Sequence, residues 1–164
     1  MLKELNAKNL ATSGIISAVY TALTLILMPI SFGAVQFRIS EALTILPLFY
    51  PQAILGLTVG CLVSNLFGYG VLDIIFGTIA TLLSAILTYI VGKKIKNNFF
   101  KFLIGGFFPV IINAFIIPLI FVLSGGNSGV YFTNVLTILL GQAVSVYLIG
   151  GNLFLVCNKI KKRS

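Results

Sequence analysis

Three ionisable side chains, Arg38, Glu41 and Asp73, lie in or beside the apolar stretches of this sequence, whereas almost every other charge lies outside those stretches. The composition is 59% hydrophobic and the mean hydropathy is +1.12, so we expect most of the chain to lie in a lipid bilayer. A charge in lipid-facing hydrocarbon costs about 2.5 to 3.5 kcal/mol on insertion scales. These three charges are therefore expected to face a protein interior or a solute, which makes them the first candidates for function.

The chemistry that these charges suit is recognition. A carboxylate accepts two parallel N–H bonds from a planar amidine-like edge, such as that of a guanine ring. We predict that Glu41 or Asp73 accepts such an edge, while the other carboxylate holds Arg38 or an amine of the ligand. Arg38 and Glu41 are three residues apart and share one helix face, so a structural ion pair between them is the alternative. That alternative leaves Asp73 in need of a partner.

Neutral polar residues within the apolar segments extend this candidate site. Asn65 and Tyr69 are expected to converge with Asp73 around a glycine-flanked turn near the outer membrane face. Three amides in later helices could contact the solute or only one another. The predicted substrate-binding residues are Arg38, Glu41, Asn65, Tyr69 and Asp73, with the amides Asn113, Asn134 and Gln142.

Several kinds of chemistry are not expected of this chain. It has no histidine, which removes the usual base at neutral pH and the commonest metal ligand. The sequence has no GxxxxGK[ST] phosphate loop and no GxSxG nucleophile motif. We therefore predict no catalytic residue, no metal site and no cofactor on this chain. Cys61 and Cys157 fall at different predicted depths, so they are expected to pack as small apolar residues without forming a disulfide.

The net charge of +8 is better explained by a membrane than by nucleic acid. The basic residues form blocks that flank apolar segments, as the positive-inside rule expects of cytoplasmic loops. They lie at the N-terminus, in residues 93–101 and in residues 159–163, and Arg38 is the exception. Binding to nucleic acid is the weaker interpretation, and we place the chain in the bacterial plasma membrane.

The pattern predicts an all-α integral membrane protein with six transmembrane helices in one domain, residues 1–164. The first apolar run is longer than the core of a usual cleaved signal peptide, so we treat it as a retained helix. Three crossings before residue 93 place both termini and every basic block in the cytoplasm, whereas two would place the internal block outside. The second helix is too short to span the bilayer unless it lies within the bundle. The predicted helices are residues 7–28, 39–50, 52–67, 71–91, 102–123 and 131–156.

Small residues recur at four-residue spacing on two of these helices, which lets helices approach closely in a membrane. Such a stripe could pack within the bundle or bind another membrane subunit, and spacing alone does not assign the two roles. The third predicted helix carries Gly56, Gly60 and Ser64. The first carries the predicted partner interface, which consists of Ala7, Ala11, Gly14, Ala18 and Ala22.

Two motifs give the sequence a family resemblance. Residues 36–43 read QFRISEAL, and residues 64–73 read SNLFGYGVLD and continue into GTIATL. These runs resemble the signature of the QueT family, and the similarity extends over nearly the whole chain. QueT proteins are the substrate-binding S components of energy-coupling factor (ECF) transporters, which belong to the ABC importers, and they are assigned to queuosine precursors and related 7-deazaguanine bases.

The resemblance implies a six-helix S component with its site near the extracellular face. It also implies partners, namely a coupling membrane protein and two ATPase subunits that use ATP. Helix 1 of such proteins meets the coupling protein through an Ala-xxx-Ala face, which Ala7/Ala11 and Ala18/Ala22 match here. On docking, the loaded S component would topple and release its solute inward.

Two alternatives remain open at this stage. The chain could be an S component for another vitamin or nucleobase. It could also be a stand-alone carrier of small solutes or a structural membrane protein that needs no ATPase, although we find no clear inverted repeat of the kind that many carriers contain.

Overall fold

The structure, a computed structural model, describes residues 6–31, 37–68 and 70–163, and every regular element in these ranges is helical. The long α-helices are α1 (Ala7–Ile26), α3 (Gln52–Leu66), α4 (Thr78–Lys94), α5 (Asn98–Leu123), α6 (Tyr131–Ala143) and α7 (Gly150–Arg163), and α2 (Met28–Ser31) is a single turn. A 3-10 helix covers Ile39–Leu48. A first π segment, Asp73–Gly77, precedes α4, and a second, Val144–Ile149, joins α6 to α7.

The helices match the composition of a membrane protein. In the described ranges, four helical runs are long and apolar enough to cross a bilayer, namely Ala7–Ile26, Asp73–Lys94, Asn98–Leu123 and Ser128–Lys162. Two shorter apolar helices, Ile39–Leu48 and Gln52–Leu66, lie between the first and the second of these runs. The prediction of an all-helical fold is therefore confirmed, and the four long and two short apolar helices are consistent with a membrane protein.

Several predicted boundaries were wrong. The first helix ends at Ile26, two residues early, and the fifth begins at Asn98, because the Asn97 side chain accepts hydrogen bonds from the backbone N–H groups of Phe99 and Phe100. The last helix continues to Arg163 beyond its predicted end at residue 156. The second helix is a 3-10 helix that ends at Leu48 rather than at residue 50.

The 3-10 helix is the centre of the bundle. Its side chains Ile45, Leu46 and Leu48 belong to one apolar core cluster together with Val110 of α5 and Val146 of the second π segment. A 3-10 helix rises about 2.0 Å per residue, so its ten residues extend about 20 Å, against about 15 Å for an α-helix. It is still too short to cross about 30 Å of hydrocarbon, and the surrounding helices bury it instead.

Glycine allows α1 and α3 to pack closely. A Cβ atom at Gly56 would lie 2.7 Å from the carbonyl oxygen of Ser13, and one at Gly60 would lie 2.9 Å from Cβ of Tyr20. No side chain fits at either position without moving α1, because real Cβ contacts are longer than this. The small stripe of α3 therefore packs within the bundle, which resolves one of the two assignments that spacing left open.

The basic segments meet at one end of the bundle. Ser13 near the start of α1 donates a hydrogen bond to the carbonyl of Gln52 at the start of α3, over 2.8 Å. The ring of Phe102, in the first turns of α5, lies 4.9 Å from the ring of Phe154 on α7. The end of α4 and the first turns of α5 both pack against Leu48, the last residue of the 3-10 helix, which directly precedes α3. The starts of α1 and α5, the connection between α4 and α5 and the end of α7 thus share this basic end. Arg38 lies toward the opposite end, where the 3-10 helix begins.

Candidate functional site

Arg38, Asn65 and Asp73 form one half of a buried polar network. Nη2 of Arg38 lies 3.6 Å from Oδ2 of Asp73, and Nη1 of Arg38 donates a hydrogen bond to Oδ1 of Asn65 over 3.2 Å. Nδ2 of Asn65 donates to the backbone carbonyl of Asp73 over 3.0 Å. The three residues are between 0% and 6% exposed, so the ion pair is almost completely removed from solvent. Arg38 lies at the start of the 3-10 helix, Asn65 on α3 and Asp73 in the first π segment.

The first π segment fits this arrangement because Gly77 leaves room for it. A Cβ atom at Gly77 would lie 2.8 Å from Nδ2 of Asn65 and 3.3 Å from Oδ1 of Asp73. A larger residue would therefore push the Asn65 amide away from its partners. Single π turns inside α-helices occur frequently at functional sites, and this one carries Asp73 as its first residue.

Glu41 is the centre of the other half of the network. The hydroxyl of Tyr20 on α1 donates a hydrogen bond to Oε1 of Glu41 over 2.5 Å. Nδ2 of Asn113 on α5 donates to Oε2 over 3.1 Å. Glu41 is 2% exposed, so this carboxylate is buried with one neutral donor on each oxygen. Three separate elements, α1, the 3-10 helix and α5, are joined at this single side chain.

The structure brings together five of the residues predicted from the sequence. Arg38, Asn65 and Asp73 contact one another, and Asn113 contacts Glu41. The ion pair at the centre of the network joins Arg38 to Asp73, whereas the alternative considered for the sequence paired Arg38 with Glu41. Of the two carboxylates, Asp73 is thus the one that holds the guanidinium.

The remaining predicted residues have different positions. Tyr69 lies outside the described residues. Asn134 is half-buried in the first turn of α6, its backbone carbonyl accepts a hydrogen bond from Thr137, and within the described residues its side chain takes no part in the network. Gln142 is 1% exposed, and neither of its amide atoms has a hydrogen-bond partner in the described part of the chain.

Gln142 lies near the end of α6, which packs against α5, and the second π segment that follows packs against the 3-10 helix. It precedes Val146 by four residues, and Val146 is in the core cluster with Val110 of α5. Residues three or four apart share a helix face. Gln142 therefore lies on the same face as Val146, and Asn113 lies on the same face as Val110. Because α5 runs away from the basic end and α6 runs toward it, both amides lie beyond the valines on the side of Arg38.

Sequence reasoning missed Tyr20, which is not among the predicted site residues. A signal was present, because Ser13, Ser17, Tyr20 and Thr24 recur at spacings of three and four residues and so form one polar stripe on α1. Ser13 binds the carbonyl of Gln52, Tyr20 binds Glu41, and Thr24 lies 2.7 Å from the Ser40 hydroxyl. The stripe therefore marks the face of α1 that enters the bundle.

The small residues of α1 lie on a different face. Each residue of the predicted partner interface, namely Ala7, Ala11, Gly14, Ala18 and Ala22, is exposed. Gly14, Ala18 and Ala22 line a groove of about 570 Å³ between α1 and α3, whose lining also includes Leu55 and Val59. The described residues of the chain thus leave a shallow apolar face with no bulky side chain along its centre.

The chemistry available to the network is hydrogen bonding and ion pairing. Within the described ranges, no group of three or more His, Cys, Asp or Glu side chains is arranged to hold a metal ion. Cys61 and Cys157 are buried free thiols that belong to separate core clusters, and Sγ of Cys61 also accepts hydrogen bonds from Nδ2 of Asn65 and from the Thr81 hydroxyl. The arrangement offers one carboxylate with neutral partners, one ion pair and one unpartnered amide.

Comparison with known proteins agrees with the motifs. A curated relative, the "Queuosine precursor transporter QueT" of Lactococcus lactis subsp. cremoris (strain MG1363), is 32% identical over 101 residues. The aligned part covers 60% of this chain and 60% of the relative, so the match spans about three fifths of the relative's length. No solved structure shows a significant match to the chain. A family model described as QueT transporter matches residues 10–159, and the chain therefore belongs to the QueT transporter family.

Proposed function

We propose that this chain is the substrate-binding S component of an ECF importer in the bacterial plasma membrane. It binds a queuosine precursor or a related 7-deazaguanine base from outside and delivers it inward when it docks on a shared ATPase module. The family match and the printed name of the Lactococcus relative support the transport role and the substrate class. The buried network around Glu41 supports the position of the binding site.

The observation that carries the proposal is the environment of Glu41. A buried carboxylate needs strong compensating hydrogen bonds, yet its two donors here, Tyr20 and Asn113, are both neutral. Because Asp73 holds Arg38, Glu41 is the carboxylate left to accept the N–H edge of a base. Each carboxylate oxygen has a second lone pair, so a planar edge can bind beside the existing donors or in their place.

The membrane topology of the proposal has six crossings with both termini in the cytoplasm. The basic segments of the chain meet at one end of the bundle, and the positive-inside rule assigns such an end to the cytoplasm. Arg38 then lies toward the outer side, where a solute arrives. Tyr20 lies beyond the midpoint of α1, which is consistent with a site in the outer half of the membrane.

We propose that the coupling membrane protein docks on the exposed face of α1 that contains Gly14, Ala18 and Ala22. Small residues allow a partner helix to approach closely in lipid, and the groove beside them is open along this face. The opposite face of α1 binds the bundle through Tyr20, so docking does not require the substrate contacts to break. Two ATPase subunits on the coupling protein would use ATP, and this chain would need no cofactor and catalyse no reaction.

Equilibrium binding tests the proposal. Glu41→Gln should weaken binding of a 7-deazaguanine base to the purified chain in detergent at least tenfold, because loss of a buried hydrogen bond to a charged group costs about 1.5 to 3 kcal/mol. Ser84→Ala is the matched control, since Ser84 is equally buried but binds only the carbonyl of Ala80 within α4. Unchanged affinity in Glu41→Gln, or equal losses in both variants, would remove Glu41 from the site.

A further inference from the structure

The basic end of the bundle has no acidic side chain of the described residues to balance it. Asp73 is the last acidic residue of the sequence, and Glu41 and Asp73 both belong to the buried network, which lies toward the opposite end. The remaining acid, Glu4, lies outside the described residues. The basic end therefore has a positive potential that attracts anions. Its lysines in α4, α5, α7 and the α4–α5 connection are Lys93, Lys94, Lys96, Lys101, Lys159, Lys161 and Lys162.

Lys101 has an unfavourable electrostatic position within this end. It lies in the first turn of α5, and the N-terminal turn of a helix carries a partial positive charge that repels a cation. It is also close enough to Lys161 on α7 for their two positive charges to repel each other. Lys93 and Lys94 differ, because they lie in the last turn of α4, where the helix dipole favours a cation. A bound anion would relieve the repulsion at Lys101 and Lys161.

Aromatic side chains hold the start of α5 beside α7 at this point. The ring of Phe102 lies 4.9 Å from the ring of Phe154 and 5.6 Å from the ring of Tyr147. Lys101 directly precedes Phe102 in the sequence. Lys161 follows Phe154 by seven residues, about two helical turns, and so lies on the same face of α7. The two lysines therefore lie at the end of one helix contact, with their positions fixed by the rings.

The residues beside the two lysines belong to a lipid-facing surface. Phe99 and Phe100 on α5 and Val156 and Ile160 on α7 are each more than half exposed. Lysines at the ends of membrane helices extend their ammonium groups to the level of the lipid headgroups. A phospholipid can use both parts of this surface, because it has a phosphate for the cations and acyl chains for the apolar side chains. A nucleic acid has nothing to cover the apolar part.

We propose that Lys101 and Lys161 bind the phosphate of one anionic phospholipid between the start of α5 and the end of α7. Basic pockets between membrane helices bind anionic headgroups in this way. Two cations without a carboxylate favour a headgroup with a net negative charge over a zwitterionic one. The lipid fastens the start of α5 to the end of α7 and places its acyl chains on the apolar side chains beside them. This site does not depend on the identity of the solute, so its failure would leave the proposed function unchanged.

Native mass spectrometry of the purified full chain in detergent tests this inference. The chain is titrated with phosphatidylglycerol and with phosphatidylcholine that have the same acyl chains. We expect phosphatidylglycerol to bind about fivefold more tightly or better, since a basic residue near an anionic headgroup contributes about that factor. The preference should shrink as the salt concentration rises, because salt screens charges near the surface. Inorganic phosphate at matched ionic strength should not displace the lipid, because it has no acyl chains.

Single substitutions locate the site. Lys101→Gln and Lys161→Gln should each weaken phosphatidylglycerol binding by about fivefold and leave phosphatidylcholine binding unchanged, whereas Lys161→Arg should keep the preference. Lys8→Gln is the matched control, because Lys8 is an exposed lysine at the same end on α1, and its loss should leave the affinity nearly unchanged.

Three results would overturn the inference. Equal affinities of the wild-type protein for the two lipids would exclude a preference for an anionic headgroup. Equal losses in Lys8→Gln and in the two site variants, or no loss in any of them, would show that the basic end attracts anions without a defined site. Displacement of the lipid by inorganic phosphate would show that the lysines bind a free anion. The substituted lysines are exposed or half-buried, so these variants are expected to fold.

Discussion

At the level of single residues, the Arg38–Asp73 ion pair is a costly feature of the described chain. Both side chains are almost fully buried, and taking two charges out of water and into a membrane bundle carries a large desolvation penalty. Replacing a buried pair with apolar residues is often neutral or stabilising, whereas removing one partner is strongly destabilising. The presence of the pair is therefore easier to explain by a binding role than by stability.

This reasoning predicts a non-additive pair of substitutions. Arg38→Met should lower the thermal unfolding midpoint in detergent by several degrees, because it leaves Asp73 buried without its counter-charge, at a cost of about 3 to 5 kcal/mol. Adding Asp73→Leu to the same protein should recover at least half of the lost stability while ligand binding stays impaired. Losses that simply add in the double variant would show that the two side chains act independently.

The sequence predicted which residues form the buried polar network better than it predicted how they pair. Charges and amides are conspicuous in apolar segments, so Arg38, Glu41, Asp73 and Asn113 could be found by composition alone. Which carboxylate holds the guanidinium depends on where α3 and the first π segment meet the 3-10 helix, and no spacing within one element contains that information. Tyr20 was missed because a tyrosine in an apolar helix has several ordinary roles, and its partner is far away in the sequence.

At the level of elements, α1 has one face that packs in the bundle and another that is exposed. Its polar stripe binds the bundle through Ser13, Tyr20 and Thr24, while its small stripe remains exposed. Tyr20 is bonded to the same carboxylate that we assign to the ligand, so the position of α1 depends on that contact. The polar face of such a helix can contact the proposed substrate site while its small-residue face binds a partner helix.

Substitutions on α1 should separate these two faces. Ala18→Leu fills the groove and should reduce co-purification of the coupling protein and the ATPase subunits at least fivefold, with base binding unchanged. Val19→Leu is the control, because Val19 is exposed on the same helix and is not part of the groove lining. Equal recovery of the complex with both variants would exclude this face as the docking surface, and an absence of ATPase subunits from the wild-type complex would instead favour a stand-alone carrier.

The stripe of small residues on α3 can be tested by a substitution that adds a side chain. Gly56→Ala should lower the thermal unfolding midpoint, because the added Cβ would lie 2.7 Å from the Ser13 carbonyl and 2.8 Å from Cβ of Ile16. Spacing alone did not show which stripe packs within the bundle and which binds a partner. Only the packing of α1 against α3 shows that one stripe is internal and the other is exposed.

For the whole molecule, hydropathy and charge predicted the helical membrane fold and the order of its six segments. Apolar runs mark the long helices well, because a bilayer requires continuous apolar surface and satisfied backbone groups. The short segment Ile39–Leu48 could be recognised as buried, but its 3-10 geometry could not, since burial on all sides leaves no periodic pattern. The two π segments were also missed, because one extra residue in a turn leaves no mark in an apolar sequence.

The bundle as a whole has a basic end and a polar network displaced toward the other end. This separation is what an importer that collects solute outside and engages a cytoplasmic ATPase module requires. In the proposed orientation, which places the basic segments in the cytoplasm, the network lies on the side where solute arrives. We propose that this network, and not the groove between α1 and α3, binds the solute.

The decisive measurement is a structure of the chain determined with a bound 7-deazaguanine base. We expect a flat ring beside the 3-10 helix, with an N–H group of the base within hydrogen-bond distance of the Glu41 carboxylate and a polar atom of the base within reach of Gln142. A base bound elsewhere, with Glu41 still bonded only to Tyr20 and Asn113 and the Gln142 amide still without a partner, would contradict it.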